Sequence, residues 1–513
     1  MIKTLKILYQ CNLLTFRGIW YLICAIKVVG INLMTLLYIS KRFYPQKIAF
    51  QDEKDNINFC TLYKQSQHLA DQLATFYGVK AKQKIAVMAY NHIYLAHTLF
   101  ALSVLGADIY LLNAQMSATQ FKKLDEAYSF DLIIHDPEIK FLQKENNLLT
   151  YHDNFPSIQR LINGRLMKTT QKRKVCHFPK IIVLTSGTTG NFKIAGRSTK
   201  AKGFIIPFTA LFTKLKLNQY SSIYIATPIY HGFGIATFCI AVLLGSTIFL
   251  HKKFTTQEAS QLLDKHKIEV ITLVPLMLGR LLKYDHTKLL SLKCIISGGS
   301  SLAETLVQET QNKLGPMLFN LYGTSEAGIC TIATPEDLEK QPSCIGRPIN
   351  GLHIKLMQDG QEIVKGIGEL WIKCAWSIQA NKWISTGDLA YKDQHGYFYL
   401  QGRKDDMIVS AGENAYPYDL EQQLLEHPAI EEATVIPIND DEFGQRFVAF
   451  IILGKNQVLS NEALFTWLRS KVARYQMPKK VIELNEMPIT AIGKVDKRQL
   501  HTLLYNEDIG TFY

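Results

Sequence analysis

Strand-like and helix-like segments alternate along most of this 513-residue chain, and that alternation restricts its fold more than any other feature. Short apolar runs typical of buried strands begin at Lys84, Asp131, Lys180, Ser222, Glu269 and Lys293. Helix-like stretches, such as residues 65–77, 256–266 and 303–314, separate these runs. The pattern predicts an α/β domain with parallel sheets, in which ligands bind at the carboxyl ends of the strands.

The pattern of predicted secondary structure changes after about residue 340. Short strands and glycine turns continue to Gly402, and a smaller unit with both helices and strands runs from Lys404 to the end. We therefore predict three parts. Residues 1–44 form a basic apolar segment, residues 45–403 a large domain with a short-stranded subdomain, and residues 404–513 a small C-terminal α+β domain.

Composition excludes several classes of protein. An apolar fraction of 47% and a charged fraction of 20% are those of an ordinary globular chain. Nine cysteines, without a C-x-x-C pair, predict reduced thiols and a cytoplasmic protein. The net charge is +13, but no basic stripe with interleaved aromatic residues is present, so we expect no nucleic-acid partner.

The basic charge is concentrated at the N-terminus, where seven Lys and Arg residues precede Asp52, the first acidic residue. Between Arg17 and Lys41 lie 23 residues whose only charge is Lys27. We expect peripheral membrane contact through residues 1–44, which would place the protein at the cytoplasmic face of a membrane. A single span, penalised by Lys27, and an ordinary buried helix are the alternatives.

A glycine- and hydroxyl-rich loop follows the apolar run that begins at Lys180. It contains Thr185, Ser186, Gly187, Thr188, Thr189, Gly190 and Lys193. Glycines let backbone amides approach an anion, hydroxyls donate further hydrogen bonds, and the lysine offsets phosphate charge. The spacing is not that of a Walker A loop. The loop indicates a phosphate-binding site, with a polar surface turn as the alternative.

Four further motifs follow in order. In the run from Tyr322 to Glu326, the aromatic ring is suited to stack on a base, the hydroxyls to bind phosphate and the carboxylate to bind Mg²⁺. Asp388 follows a Thr-Gly turn and is suited to accept ribose hydroxyls. The runs 402–408 and 488–497 contain Arg403 and Lys494, and each alone would be an ordinary surface turn.

Together the five motifs resemble those of the adenylate-forming superfamily, which includes acyl-CoA synthetases, peptide synthetase adenylation domains and luciferases. The resemblance covers nearly the whole chain after the N-terminal segment. It implies a large N-terminal α/β domain and a small mobile C-terminal lid with the active site between them. It also implies two half-reactions: a carboxylate attacks Mg-ATP to give an acyl-adenylate and pyrophosphate, and a thiol then displaces AMP.

The resemblance also assigns roles. Residues 185–193 would hold the pyrophosphate, and Tyr322 would stack on adenine in a pocket lined by Ser297, Gly298 and Gly299. Thr324 would contact the α-phosphate and Glu326 the Mg²⁺, while Asp388 and Arg403 would hold the ribose. Lys494 would reach carboxylate and phosphate, and Asp405 would be the hinge of the lid. The chain departs from the usual pattern at Phe192, Ser325 and Val409.

Two further stretches bear on the acid and its acceptor. The stretch Gly412 to Pro417 is similar to that of synthetases for fatty acids, and the stretch Pro228 to Gly234 to their acyl-pocket motif. His231 there is expected to gate or position the substrate, with an ordinary buried histidine as the alternative. We expect a medium- or long-chain fatty acid to be transferred to CoA.

Three other functions remain open at the level of sequence. The first is a fatty acyl-AMP ligase that loads the phosphopantetheine arm of an acyl carrier protein. The second is a lipid or nucleotide binder without activity, and the third is a membrane scaffold. The presence of Glu326, Asp388, Arg403 and Lys494 argues against the inactive binder, and a membrane scaffold would account for residues 1–47 but leave the other 466 unexplained.

Overall fold

A computed structural model describes residues 8–142, 146–164, 178–186, 192–194, 202–411, 413–490 and 494–507. Fifteen helices are assigned in these ranges: α1 Phe16–Val29, α2 Leu33–Phe43, α3 Phe59–Phe76, α4 Ile93–Leu105, α5 Ala118–Tyr128, α6 Ile158–Asn163, α7 Lys202–Leu215, α8 Gly232–Leu244, α9 Thr256–His266, α10 Pro275–Asp285, α11 Glu304–Leu314, α12 Pro335–Lys340, α13 Pro417–Leu425, α14 Asn461–Arg469 and α15 Lys497–Glu507.

The same ranges contain twenty-five strands: β1 Ile48–Gln51, β2 Asn56–Asn58, β3 Lys84–Met88, β4 Asp108–Leu111, β5 Leu132–His135, β6 Asn147–Leu149, β7 Ile181–Ser186, β8 Phe192–Ile194, β9 Ser222–Ile225, β10 Thr247–Phe249, β11 Val270–Leu273, β12 Cys294–Gly298, β13 Leu318–Thr324, β14 Gly328–Ala333, β15 Arg347–Pro348, β16 His353–Gln358, β17 Gln361–Ile363, β18 Gly368–Lys373, β19 Ile384–Lys392, β20 Phe398–Arg403, β21 Ile408–Ser410, β22 Glu413–Ala415, β23 Ile430–Asp440, β24 Gly444–Leu453 and β25 Lys480–Glu483.

Two largely parallel sheets form the centre of the large domain. One has nine strands in the order β15-β14-β13-β12-β11-β9-β10-β1-β2, and its run from β13 to β1 is parallel. The other has six strands in the order β6-β5-β3-β4-β7-β8, parallel up to β7. The predicted α/β fold with parallel sheets is confirmed, because helices connect the strands as the alternation requires.

Two smaller sheets carry the rest of the chain. Strands β16 to β20 form an antiparallel sheet in the order β17-β16-β18-β19-β20, as the glycine turns after residue 340 predict. The C-terminal part has its own sheet, β22-β21-β24-β23 with β25 beside β24, and its own apolar core. The large and small parts of the predicted fold are therefore both present.

Most predicted strands and helices match the structure within a few residues. The helix expected at residues 65–77 starts earlier, at Phe59. Its start is fixed by Asn58, whose Oδ1 accepts a hydrogen bond from the Thr61 amide at 2.8 Å. A side chain at this position satisfies an amide that the first helical turn leaves unpaired.

The apolar N-terminal run is two helices with a break at Gly30, which has a φ of +80°. Helix α2 belongs to the core: Leu33, Met34 and Leu37 are buried, and the Ser40 hydroxyl donates to the Val242 carbonyl of α8. The buried-helix alternative is therefore correct for α2. No helix in the described ranges is long and apolar enough to cross a bilayer.

Candidate active site

The ends of four adjacent parallel strands form the floor of the site. Strands β13, β12, β11 and β9 are neighbours in this order, and their carboxyl ends meet at one edge of the sheet. Thr324 closes β13, Ser297 and Gly298 close β12, and the loop from Thr227 to His231 follows β9. The fold thus brings together side chains that are far apart in sequence, at the edge where such sheets bind ligands.

A hydrogen-bonded trio lies beside this floor. The Tyr322 hydroxyl donates to Asp388 Oδ2 at 2.6 Å, and Arg403 Nη1 donates to Asp388 Oδ1 at 3.0 Å. Asp388 and Arg403 are cross-strand partners on β19 and β20, so the register of this sheet fixes the pair. Burial raises the pKa of Asp388, and the hydrogen bond from Tyr322 and the charge of Arg403 oppose that rise.

The turn before Asp388 requires glycine. Gly387 has a φ of +73°, and a Cβ at this position would lie 2.7 Å from Arg403 Nη2. A side chain would therefore strain the backbone and displace the guanidinium that pairs with Asp388. The Thr-Gly-Asp triplet is more than an ordinary turn, because it places the carboxylate and makes room for its partner.

Ser297 and Gly298 end β12, the strand next to β13, which carries Tyr322, and Gly299 follows them. Gly298 pairs with Leu321, and a Cβ on it would lie 2.9 Å from the Leu321 carbonyl oxygen. The Ser297 hydroxyl is buried and has no hydrogen-bond partner among the described residues. A buried, unpaired hydroxyl at the edge of a cleft is suited to bind a polar ligand.

Lys494 reaches this cleft from the C-terminal domain. Its carbonyl accepts hydrogen bonds from the Thr490 amide at 2.7 Å and from the Thr490 hydroxyl at 3.0 Å, and Ile489 pairs with Val495 in the same turn. The side chain passes Gly299, and a Cβ added to that glycine would lie 3.9 Å from Lys494 Cε. Lys494 therefore lies next to Gly299, the last residue of the predicted stretch Ser297–Gly299.

The charge of Lys494 is influenced by groups on the large domain. Desolvation lowers the pKa of Lys494; Asp388 opposes this shift and Arg403 adds to it. Lys494 keeps some exposed surface, so its desolvation is partial. Two cations therefore face one carboxylate that is already hydrogen-bonded, and the site has room for anionic groups of a ligand.

His231 lies on the same cleft. Burial, and to a lesser extent the charge of Lys494, lower the pKa of His231 to about 3. The imidazole is therefore neutral at physiological pH, and its buried Nε2 has no partner among the described residues. A neutral ring that cannot easily take up a proton fits the predicted positioning role better than that of a base.

Thr324 and Glu326 lie in the turn between β13 and β14. The Thr324 hydroxyl accepts a hydrogen bond from the Ala327 amide at 3.2 Å, and the Glu326 carbonyl accepts one from Ile378 at 2.9 Å. Both side chains are half-buried. The role of Glu326 as a magnesium ligand stays a prediction, and its carboxylate has the oxygen atoms that such a ligand needs.

The predicted phosphate loop is only partly described. Strands β7 and β8 are antiparallel neighbours, with Thr185 opposite Lys193 and Ser186 opposite Phe192. Gly187, Thr188, Thr189 and Gly190 lie outside the described residues. The two described strands bring the ends of the predicted loop side by side.

Salt bridges between the domains hold the lid in this position, and no sequence motif indicated them. Arg280 of α10 makes a bidentate contact with Glu432 of β23: Nε lies 3.0 Å from Oε1 and Nη2 lies 3.3 Å from Oε2. Lys283 lies 3.1 Å from Glu431. The Arg280–Glu432 pair is largely shielded from water, and bidentate geometry makes it the stronger contact.

The predicted hinge follows Arg403 directly. Asp405 is exposed and lies 3.5 Å from the Arg403 guanidinium, in a short 3₁₀ turn at Lys404–Asp406. Lys497, three residues after Lys494, pairs with Asp406 at 3.0 Å. The predicted hinge segment is thus tied both to Arg403 and to the start of helix α15.

Asn91 is a site residue that the sequence patterns did not predict. It is buried after β3, and its amide donates to the Thr227 carbonyl at 3.0 Å and to the Ile225 carbonyl at 3.3 Å. Its oxygen accepts a hydrogen bond from the Ile229 amide at 2.8 Å. One side chain of the six-stranded sheet therefore holds the loop that presents His231. The available signal was a polar pair, Asn91 and His92, shortly after an apolar strand.

The site and the two-domain fold define a class, the ligases that form acyl-adenylates. The chain matches the AMP-binding enzyme family over residues 39–378 and the AMP-binding enzyme C-terminal domain over residues 419–494. The chain therefore belongs to the AMP-binding enzyme family and is an AMP-forming acid–thiol ligase.

Curated relatives and solved structures agree with this assignment. The chain is 28% identical over 480 residues to 2-succinylbenzoate–CoA ligase of Bacillus subtilis, covering 89% of this chain and 95% of the relative. A Bacillus cereus enzyme of the same name is 28% identical over 487 residues, covering 90% and 96%.

The fold is similar to o-succinylbenzoate CoA synthetase from Bacillus subtilis in complex with its acyl-adenylate intermediate. The TM-score is 0.76 at 25% identity, covering 91% of this chain and 97% of the other. The same enzyme in complex with ATP and magnesium ion gives a TM-score of 0.77 at 25% identity, covering 91% and 99%. An anthranilate CoA ligase shares the fold, with a TM-score of 0.80 at 19% identity, covering 92% and 97%.

Replacing Asn91 with Ala should slow adenylate formation while most of the fold persists. The change leaves two carbonyls and one amide of the 225–229 loop without partners, at a cost of about 1–3 kcal/mol per buried group left unpaired. We expect a lower melting temperature and a tenfold to about hundredfold loss of pyrophosphate exchange per folded molecule, because small displacements of positioning groups are costly.

Asn147→Ala is the matched control for this variant. Asn147 donates to the Leu142 carbonyl at 3.0 Å on the edge strand β6, away from the site. It should lose some stability and keep its exchange rate. An exchange rate in Asn91→Ala equal to that of Asn147→Ala would contradict the positioning role.

The pH profile of adenylate formation should carry the signature of Lys494. The lowered pKa of Lys494 means that it loses its proton at a lower pH than an exposed lysine. We expect kcat/KM for pyrophosphate exchange, which reports the free enzyme, to fall on the alkaline side. Lys494→Arg should be slower but should lack that fall, since a guanidinium stays charged. The same alkaline fall in both proteins would assign it to another group.

Proposed function

We propose that the chain activates a medium- or long-chain fatty acid with Mg-ATP and transfers the acyl group to the thiol of CoA. One observation carries this proposal: Lys494 of the C-terminal domain lies in the cleft of the large domain, beside Gly299 and within electrostatic reach of Asp388, Arg403 and His231. A cation delivered by a separate domain to an anion-binding edge suits a reaction in which negative charge gathers at phosphate.

The polar groups of the cleft fit ATP. Ser297 Oγ and Arg403 Nε are buried and have no partner among the described residues, and the pair of Asp388 and Arg403 presents charged groups beside them. We assign the adenine to the Tyr322 side of the cleft, the ribose to Asp388 and Arg403, and the α-phosphate to Thr324 and Lys494. Thr185, Ser186 and Lys193 are assigned to the pyrophosphate. Mg²⁺, with Glu326 as its protein ligand, would neutralise phosphate charge.

The first step forms a bond between a carboxylate oxygen and the α-phosphorus and breaks the bond from that phosphorus to the β-phosphate. Lys494 is suited to hold the incoming carboxylate and the phosphate together, because an ammonium group attracts both anions. His231, neutral and unpaired at Nε2, is suited to orient the acid without taking its proton. In the second step the CoA sulfur attacks the acyl carbon and AMP leaves.

The lid must leave its present position for the second step, and its contacts allow this. The domains are joined by ion pairs such as Arg280–Glu432 and Lys283–Glu431, which water can replace. Asp405 is exposed where the chain passes from the large domain to the C-terminal domain, and we assign it as the hinge. One lid with two positions would first supply Lys494 and then present another face to CoA.

A fatty acid is supported by the composition of the stretch from Pro228 to Gly234, which leads into helix α8. A Cβ on Gly232 would meet no other atom within 4 Å, so this position leaves open space. Residues 228–234 contain no acidic group that could pair with the ammonium group of an amino acid substrate. The names of the relatives favour a second candidate, an aromatic acid such as 2-succinylbenzoate.

A product survey tests acid and acceptor together. The enzyme is incubated with Mg-ATP, CoA or a phosphopantetheinylated carrier protein, and a series of fatty, aromatic and amino acids, and products are identified by mass. We expect fatty acyl-CoA as the main product. Preferential formation of 2-succinylbenzoyl-CoA would overturn the acid, and acyl-AMP that only a carrier protein discharges would overturn the acceptor. Lys494→Ala is the control: it should form no adenylate yet convert supplied acyl-AMP and CoA to thioester.

A further inference from the structure

Helix α1 packs on the rest of the protein through one narrow stripe. Gly18, Ala25 and Val29 are its buried residues, and its most extensive contacts with another helix are with α2. A Cβ on Gly18 would lie 1.9 Å from the Asn12 carbonyl oxygen, so the preceding turn crosses the helix at this point. The stripe leaves more than half of the helix surface facing solvent.

The solvent side of α1 is apolar, which is unusual for a surface helix. Its exposed residues include Phe16, Ile19, Trp20, Ile23 and Ile26, spaced so that they share one side of the helix, and we call these five the apolar face of α1. Phe16 is 97% exposed and Trp20 60% exposed. A helix on the surface of a soluble protein normally carries polar residues there.

The charges on α1 and on the segments next to it in the sequence are all positive. Arg17 lies at the flank of the apolar face and Lys27 on the same side as this face near its C-terminal end, and no acidic residue occurs before Asp52. A second protein copy would bring the same positive charges into opposition, whereas an anionic lipid surface would attract them. Trp20, an aromatic residue with a polar atom, is of the type that favours the boundary between lipid and water.

The dimensions of α1 fix its orientation. With 14 residues it is about 21 Å long, shorter than the hydrocarbon core of about 30 Å. Gly30 ends it, and α2 then returns into the protein core. Helix α1 therefore has the length and pattern of a helix that lies in the plane of the interface.

We propose that the apolar face of α1 inserts into the headgroup region of a bilayer that contains anionic phospholipids and holds the ligase at that surface. The match to the AMP-binding enzyme family begins at residue 39, after α1. Membrane attachment is thus separable from adenylate formation, and it holds whichever acid the site activates.

Vesicle flotation tests this attachment with the full-length protein. Phosphatidylcholine vesicles with and without phosphatidylglycerol are mixed with the wild type and with Trp20→Glu/Ile23→Glu. We expect the wild type to float with the anionic vesicles, less so at high salt, and the double variant to lose at least about tenfold in partition. Its melting temperature and pyrophosphate exchange should stay unchanged, because both side chains are exposed and belong to a helix that contributes no predicted site residue.

Val364→Glu/Val458→Glu is the matched control, since these valines are 83% and 94% exposed elsewhere and the charge change is the same. It should float like the wild type. Failure of the wild type to float, equal binding to vesicles without phosphatidylglycerol, or equal loss in both double variants would overturn the proposal. The proposal would also be overturned if the wild type bound no lipid but formed a dimer that dissociates in the Trp20→Glu/Ile23→Glu variant.

Discussion

The meeting of Lys494 with the Asp388–Arg403 pair is the interaction on which the function of this fold depends. Lys494 belongs to a separate domain. In the large domain, the pairing of strands β19 and β20 holds Arg403 Nη1 3.0 Å from Asp388 Oδ1. Docking of the lid brings a second cation to a carboxylate that is already hydrogen-bonded, and the resulting positive site is suited to the anions of ATP and a carboxylic acid.

The supports of this meeting come from all parts of the chain. The nine-stranded sheet supplies four adjacent strand ends, the six-stranded sheet supplies Asn91, and α10 supplies Arg280 as a docking point for the lid. Each of these elements positions other groups of the site and does not itself take part in the proposed reaction. This arrangement suits adenylate formation, which depends mainly on holding carboxylate and phosphate in line and stabilising their charge.

The sequence predicted those parts of the protein whose information is local. Alternating apolar runs indicated the parallel strands, and four of the five motifs contain Tyr322, Asp388, Arg403 and Lys494, which the fold does bring together. Asn91 and the Arg280–Glu432 pair were missed because each joins segments more than a hundred residues apart and neither lies in a motif. The division of the N-terminal run into two helices was not evident in the sequence, because the break at Gly30 separates a buried helix from an exposed one only after packing.

Charge reversal at the domain contact tests most directly whether the docked lid assembles the adenylation site. Arg280→Glu and Glu432→Arg each place like charges at the contact, and the double variant restores an ion pair. Pyrophosphate exchange should fall at least about tenfold in each single variant and recover in the double variant, while thioester formation from supplied acyl-AMP persists throughout. Unchanged exchange in the single variants, or no recovery in the double variant, would contradict the account.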